Sequence, residues 1–365
     1  MKTFNLPLYH WHFEVSSKCA LQCPRCPRTE RKGDYKVTEL SLDFIKNLTE
    51  DPLFRNQALK LTFCGGQGDP IYNSQFLQII EHLKMEFPQI LITIVTNGSH
   101  RKTDWWRRLG GLLTAGDDIT FSLDGWDQAS NEKYRVGSDW QSILAAIEVL
   151  RGREAMLIWN AIYFRFNQNE IERMSRLAED LGFDGFRLTK SHLFGSHGHQ
   201  QYMDPELGYD PLEPDETLVS QWGKTEKSKI WFTKGSERFQ NFNKKYASFN
   251  AMKKELTDGL RAKQSAYRLL PNCLIGFRGC YVDAEGYFYP CSWVSHPQSD
   301  KARHFFKNEF FPVHQKELNL HHHSLSEVLD IKAWDELTST WFPQGPEPFI
   351  ECQRKCHKEV FPDVP

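Results

Sequence analysis

One stretch near the amino end reads Trp11-His-Phe-Glu-Val-Ser-Ser-Lys-Cys19-Ala-Leu-Gln-Cys23-Pro-Arg-Cys26, a run of aromatic and β-branched residues followed by three closely spaced cysteines. Soft thiolates select iron–sulfur clusters or zinc over harder metals. A structural zinc site needs four ligands, and no fourth Cys or His stands at finger-like spacing. Three ligands would leave one iron of a four-iron cluster open. The triplet therefore favours a redox cluster, with zinc or unligated thiols as the alternatives.

Residues 11 to 190 alternate short apolar runs with longer helical patterns, which is typical of strand–helix units around a parallel sheet. The strands are predicted at 11–16, 58–64, 90–96, 119–123, 157–164 and 185–189. The helices are predicted near 40–50, 75–86, 103–114, 139–150 and 169–181. Six such units predict an α/β fold, a partial (β/α)6 TIM-like barrel.

Polar or glycine-rich segments follow four of the predicted strands. Active sites of such sheets lie at the carboxyl ends of the strands, so these loops should converge on one cofactor pocket. The segments are Ser16 to Cys26, Cys64-Gly-Gly-Gln-Gly-Asp-Pro70, Thr96-Asn-Gly98 and Ser122-Leu-Asp-Gly125. Cys64 itself is expected to be a small buried residue.

The C-terminal part of the chain holds five of its nine cysteines. A β-hairpin with Gly286 at its turn is predicted between two of them, and a Cys-x-x-x-Cys pair follows much later. Four thiolates, from Cys273, Cys291, Cys352 and Cys356, could complete a further cluster or a structural zinc site. Cys280 is a spare or a replacement for Cys273.

The cysteine spacing after Glu14-Val-Ser-Ser-Lys-Cys19 resembles that of the radical S-adenosylmethionine (SAM) superfamily. The resemblance implies a catalytic [4Fe-4S] cluster on Cys19, Cys23 and Cys26, which cleaves SAM to a 5′-deoxyadenosyl radical. Gln67, Gly68 and Asp69 are similar to the family's Gly-Gly-Glu segment. One departure is Arg25, because the family usually has an aromatic residue before the third cysteine.

The same resemblance assigns cofactor contacts to the ends of two strands. These residues are Thr96, Asn97, Ser122 and Asp124, and Arg135 could pair with the methionine carboxylate. An exposed helix arginine is the alternative interpretation of Arg135.

The C-terminal cysteines resemble the twitch form of the SPASM auxiliary-cluster domain. That resemblance implies one auxiliary iron–sulfur cluster, expected to be [4Fe-4S], on Cys273, Cys291, Cys352 and Cys356. The final pair is one residue longer than the usual Cys-x-x-Cys. His321-His-His323 is interpreted as a solvated start of an amphipathic helix at 325–338 rather than as a metal site.

The 365 residues carry a formal net charge of -2, with no broad cationic field, which disfavours nucleic acid as a partner. No export signal and no apolar run of roughly 18 residues is present, so we expect a cytoplasmic protein without a membrane partner. The predicted parts are a radical SAM barrel over 1–200, a linker or substrate-covering loop with a charged helix over 201–270, and a twitch-like domain over 271–365. Residues 196–235 are expected to be linker or substrate-covering loop, and about 238–268 the charged helix.

The expected function is hydrogen abstraction from a peptide or amino-acid-derived substrate, with electrons from a flavodoxin- or ferredoxin-type donor. A small-molecule, aminoglycoside-like dehydrogenase is the alternative. A non-catalytic zinc or iron–sulfur module that docks a partner, and an RNA-modifying radical enzyme, represent other classes. Because the barrel begins within about ten residues, we expect a leader-guided peptide to need a separate recognition protein or another surface.

Overall fold

The computed structural model describes residues 6–30, 36–191, 202–215, 229–262, 267–274, 279–295, 314–348, 352, 353 and 356. These residues form nine strands, and most of the strand pairs are parallel. The strands are β1 His10–Phe13, β2 Lys60–Phe63, β3 Leu91–Thr96, β4 Asp118–Ser122, β5 Met156–Ile162, β6 Gly185–Thr189, β7 Lys229–Trp231, β8 Cys280–Val282 and β9 Phe288–Tyr289. The first six correspond to the six predicted strands.

The predicted helices of the strand–helix units are also present, and polar residues define where several of them begin. Ser41 caps one helix by accepting a hydrogen bond from Phe44 N, as expected of a serine at an N-terminus. The helices are α1 Pro27–Glu30, α2 Leu42–Glu50, α3 Pro52–Gln57, α4 Phe76–Glu86, α5 Thr103–Leu112, α6 Gln128–Glu132, α7 Trp140–Leu150, α8 Ile171–Asp180, α9 Glu237–Arg261, α10 Ser292–Ser295, α11 Leu325–Leu329 and α12 Ala333–Ser339. None of the described helices is both long and apolar enough to cross a bilayer.

The chain divides into two compact units, and the first comprises 1–18, 36–92 and 245–365. In this unit β1 pairs in parallel with both β2 and β8, and β8 pairs antiparallel with β9. Trp11 of β1 is fully buried and stacks on Phe13, while its ring also contacts Phe54 and Phe288. Burial of such large rings contributes most of the apolar area of this core.

The second unit comprises 19–35 and 93–244. Its strands β3, β4, β5 and β6 pair in parallel, and β7 joins β6 in the antiparallel direction. Trp106, Phe121 and Trp159 are fully buried in its core. The carboxyl ends of β3 and β4 lead directly into the Thr96-Asn-Gly98 and Ser122-Leu-Asp-Gly125 segments.

Three predictions of secondary structure need correction. The segment 196–235 was expected to be linker, yet it contains β7, whose Trp231 packs against Phe239 and Phe242; residues 196–201 and 216–228 lie outside the described part. The helix expected at 325–338 is split into α11 and α12, because the chain turns at Asp330 and the indole of Trp334 donates to the Val328 carbonyl. The helix expected at 238–268 already ends at Arg261.

A buried carboxylate ties β7 and the start of α9 to the sheet of the second unit. Asp184 is fully buried, and it accepts hydrogen bonds from Leu157 N at 2.8 Å and Thr233 Oγ1 at 3.0 Å. The guanidinium of Arg238 forms an ion pair with the same carboxylate. Removal of one member of such a buried pair leaves the other charge without compensation.

We expect Asp184→Ala to lower the free energy of unfolding by about 3–5 kcal/mol, because Arg238 and the Leu157 amide lose their acceptor. Glu148→Ala, which breaks an exposed pair with Arg151, is the matched control and should cost less than about 1 kcal/mol. Chemical denaturation measures both variants. Equal midpoints for the two variants would show that the buried pair does not stabilise this unit.

Candidate active site

The three cysteines of the first motif lie together in one apolar cluster. Cys23 is buried with Leu21, Tyr134 and Phe164, and the half-buried Cys19 and Cys26 pack against the same group. A tight turn brings the last two together, because Cys26 N donates to the Cys23 carbonyl at 3.1 Å. The fold thus gathers all three thiols in one apolar cluster.

The surroundings of these thiols act on their protonation. Burial raises the pKa of Cys23, and the guanidinium of Arg135 opposes that rise through its charge and a hydrogen bond. Burial also raises the pKa of Cys26, against hydrogen bonds from the backbone amides of Arg28 and Thr29. Since thiolates are the ligands of a metal centre, its binding must release protons from these groups.

Buried hydrogen-bond donors in the residues that flank Cys26 in the chain fit an iron–sulfur cluster. Arg25 Nε, Arg28 Nε and Thr29 Oγ1 are buried and have no hydrogen-bond partner among the described residues. Asn97 Nδ2 donates to Cys19 Sγ at 3.6 Å. Sulfur atoms of such clusters accept hydrogen bonds that tune their potential, so these buried donors suit that group.

Asp124 and Arg135 form a buried ion pair beside the cysteines. Asp124 is fully buried, with Oδ2 accepting from Arg135 Nε at 2.6 Å and Oδ1 accepting from Ile162 N at 2.7 Å. The Arg135 side chain is 15% exposed, so the alternative of an exposed helix arginine is wrong. Burial raises the pKa of Asp124, and the charge of Arg135 opposes the rise. One oxygen of Asp124 therefore orients Arg135, and the other is bonded to the end of β5.

The other predicted contacts at the strand ends differ in accessibility. Thr96 and Asn97 are buried, and each accepts a backbone hydrogen bond within its own turn, from Gly98 N and Ser99 N. Ser122 is half-buried at the end of β4. Asn97 also contacts the cysteine triplet, through Cys19 Sγ.

The glycine-rich loop after β2 is held by a carboxylate that the sequence analysis did not single out. Glu14 Oε1 accepts hydrogen bonds from Gln67 N at 2.6 Å and Gly68 N at 2.8 Å, while Oε2 accepts from Tyr281 OH at 2.6 Å. Only 2% of Glu14 is exposed. One feature of the sequence could have indicated this role of Glu14: it is an acidic residue within the predicted strand 11–16, ahead of the cysteines.

Close packing explains the glycine in this loop. A Cβ on Gly68 would lie 1.9 Å from the Ser16 carbonyl oxygen, so no other residue fits there without a shift of the backbone. Asp69 N donates to the Lys18 carbonyl at 3.0 Å. The loop of Gln67, Gly68 and Asp69 thus lies against the residues that immediately precede the first cysteine in the chain.

Cys64, at the start of this loop, departs from its prediction. It is half-buried rather than buried, and its carbonyl oxygen accepts a hydrogen bond from His12 Nε2 at 2.6 Å. The burial of Cys64 was therefore predicted wrongly.

Four C-terminal cysteines line one cavity in the first unit. Cys273, Cys291, Cys352 and Cys356 surround it together with apolar side chains that include Trp293 and Trp341. The pKa of Cys273 lies well above its ordinary value, first because of burial and then because of the three neighbouring thiols. Asn272 N donates to Cys356 Sγ at 3.3 Å. Four thiols around a shared apolar cavity match the number and type of ligands that a group fully ligated by protein requires.

Two other candidate ligands lie elsewhere. Cys280 is buried within β8, where its thiol donates to the His10 carbonyl at 3.5 Å, and it does not line the four-cysteine cavity. The ring of His321 packs on the ring of Phe44, with 4.5 Å between the ring centroids. Among the residues that the structure describes, no three Cys, His, Asp or Glu side chains form a group that could hold a metal ion as they stand.

Comparison with known proteins gives one family and several related folds. The model of the Radical SAM superfamily matches residues 13–178. The S-adenosylmethionine-dependent nucleotide dehydratase RSAD2 of Siniperca chuatsi is 27% identical over 124 residues, which is 34% of this chain and about a third, 32%, of that protein.

Two solved structures share the fold over most of their length. Native anSMEcpe with bound AdoMet and Cp18Cys peptide has a TM-score of 0.50 and 13% identity, covering 95% of this chain and 85% of that one. Streptococcus suis SuiB bound to S-adenosylmethionine has a TM-score of 0.51 and 13% identity, covering 95% of this chain and 77% of that one. These likenesses confirm the predicted α/β, partial-barrel fold class.

We expect Glu14→Ala to free the glycine-rich loop, because the amides of Gln67 and Gly68 lose their acceptor. The free energy of unfolding should fall by about 3 kcal/mol, against about 1 kcal/mol for Tyr281→Phe, which removes one donor only. Hydrogen–deuterium exchange should accelerate at Gln67 and Gly68 in Glu14→Ala and not in the control. Unchanged protection of both amides would contradict this role of Glu14.

Proposed function

Because residues 13–178 match the model of the Radical SAM superfamily, we propose that the protein is a radical enzyme acting on a peptide or amino-acid-derived substrate. Cys19, Cys23 and Cys26 would hold a [4Fe-4S] cluster. The observation that carries the proposal is the gathering of these three thiols in one apolar cluster, which also contains Leu21, Tyr134 and Phe164. Three protein ligands would leave one iron of such a cluster open for SAM.

When bound, the reduced cluster and SAM supply a 5′-deoxyadenosyl radical that abstracts a substrate hydrogen. The residues of the chain bind, orient and shield these groups. Leu21, Tyr134 and Phe164 form the apolar surround of the thiols, which limits water near a radical. Binding energy would then maintain a fixed geometry between the cofactor and the substrate.

Three groups of residues would orient SAM. The loop of Gln67, Gly68 and Asp69, fixed by Glu14, would offer backbone carbonyls to the methionine ammonium group. Arg135, oriented by Asp124, would supply the cation for the methionine carboxylate. Thr96, Asn97 and Ser122 would serve the ribose end, with Ser122 the more accessible hydroxyl.

The C-terminal cavity would hold an auxiliary [4Fe-4S] cluster in a twitch-like domain over 271–365. Its proposed ligands are Cys273, Cys291, Cys352 and Cys356, which line the same cavity. The cluster would accept an electron from the substrate radical or anchor the substrate. A flavodoxin- or ferredoxin-type donor would supply the electron for SAM cleavage. A structural zinc ion is the competing occupant, since it uses the same thiolates.

Two related proteins bear on the substrate class. A peptide accompanies the related fold of anSMEcpe, and a nucleotide appears in the name of the RSAD2 relative, which supports a small molecule as the second candidate. The net charge of -2 disfavours RNA. A non-catalytic metal module would bind a partner without cleaving SAM.

We expect the triple variant Cys19→Ala, Cys23→Ala, Cys26→Ala to form no 5′-deoxyadenosine under anaerobic conditions with dithionite. Its iron content should fall from about eight to about four per chain, because each cubane carries four irons. Cys64→Ala is the matched control and should behave as the unmodified protein, since Cys64 lies outside both cysteine groups. Unchanged 5′-deoxyadenosine formation in the triple variant would refute the catalytic cluster.

The quadruple variant at Cys273, Cys291, Cys352 and Cys356 should keep about four irons and still cleave SAM. It should no longer convert the substrate. Cys280→Ala is its control and should keep the full iron content, because that thiol lies outside the cavity. One equivalent of zinc lost from the quadruple variant, with iron unchanged, would identify the C-terminal site as structural zinc.

A further inference from the structure

Arg25, beside the third cysteine, contacts a segment far away in the sequence. The Nη2 atom of Arg25 donates to Asp210 Oδ1 at 2.6 Å, and the guanidinium carbon lies 3.4 Å from the centre of the Tyr202 ring. The side chains of Arg25 and Asp210 are 9% and 8% exposed. Arg25 stands where the superfamily usually has an aromatic residue, and here its guanidinium is committed to these two partners.

The contacted segment, residues 202–215, is termed the strap. Leu212 packs against the apolar cluster that contains the three cysteines, and its carbonyl accepts from Arg165 N at 3.1 Å. Near its end, Asp215 N donates to Gln168 Oε1 at 2.8 Å. The strap therefore contacts the cysteine loop, residues 19–26, at Arg25 and packs on the apolar cluster that contains the cysteines.

The strap depends on side-chain contacts for its position. Turns rather than an α-helix or a strand make up residues 203–215. A buried ion pair is strongly destabilised when one partner is lost, because the remaining charge stays desolvated. Asp210 Oδ1 also accepts from Leu212 N at 2.9 Å, so the same carboxylate shapes the part of the strap that touches the cysteine cluster.

From these contacts we propose that Arg25 is a positioning residue that clamps the strap over the cysteine loop and thereby shields the catalytic cluster from solvent and oxygen. The proposal rests on the proposed function for the identity of the cluster. The clamp itself consists only of residues of this chain, namely Arg25, Tyr202 and Asp210.

The test compares Arg25→Met and Asp210→Asn with Arg176→Met, a control in which the arginine is 76% exposed. In metal-free protein, hydrogen–deuterium exchange over 202–215 should accelerate at least about tenfold in the first two variants, while β3 to β6 keep their protection. In anaerobically reconstituted protein, the visible absorbance of the cluster should bleach several-fold faster in air. Arg176→Met should change neither quantity.

Unchanged exchange of the strap in both variants would overturn the clamp, and unchanged bleaching with a freed strap would overturn its shielding role. Should Arg25→Met fail to fold, Asp210→Asn decides alone, because it leaves the cysteine loop intact. If no variant binds a cluster at Cys19, Cys23 and Cys26, the proposed function fails. The exchange of the metal-free strap then still decides whether Arg25 positions it.

Discussion

Three thiols held side by side in an apolar pocket would repel one another once ionised, and the rest of the site depends on how the fold compensates that repulsion. Burial disfavours the thiolate form of Cys23, and Arg135 brings a positive charge to it. Asp124 keeps Arg135 in place by accepting a hydrogen bond from it, and Asp124 also accepts one from Ile162 N at the end of β5. The strands of the second unit therefore position both the charge of Arg135 and the polar segments that follow β3 and β4.

Much of the fold could be predicted from the sequence because its determinants are local. Alternating β-branched runs located the first six strands within two or three residues, and apolar periodicity located five helices. Errors arose where packing rather than pattern decides. Strand β7 has only three residues and is stabilised by Trp231 against Phe239. The expected helix at 325–338 breaks because Trp334 bonds to the Val328 carbonyl.

The cysteine residues of both candidate sites could also be predicted, since thiol spacing carries chemical meaning. Their supporting residues could not, because each works through a partner far along the chain. Glu14 meets Tyr281 across 267 positions, and Arg25 meets Asp210 across 185. A single sequence does not show which residues pair across such distances. Glu14 in a predicted strand and Arg25 beside a cysteine could therefore be read from the sequence, but their roles could not.

The parallel pairing of β8 with β1 makes the C-terminal region part of the same sheet as the strand that leads to the first cysteine motif. Trp11 of β1 lies opposite Cys280, and the ring of Tyr281 reaches Glu14. A chain truncated before residue 279 would leave one edge of β1 with unpaired backbone amides and carbonyls. Such an edge invites pairing with another molecule, so the shortened protein would tend to aggregate instead of simply losing one cluster.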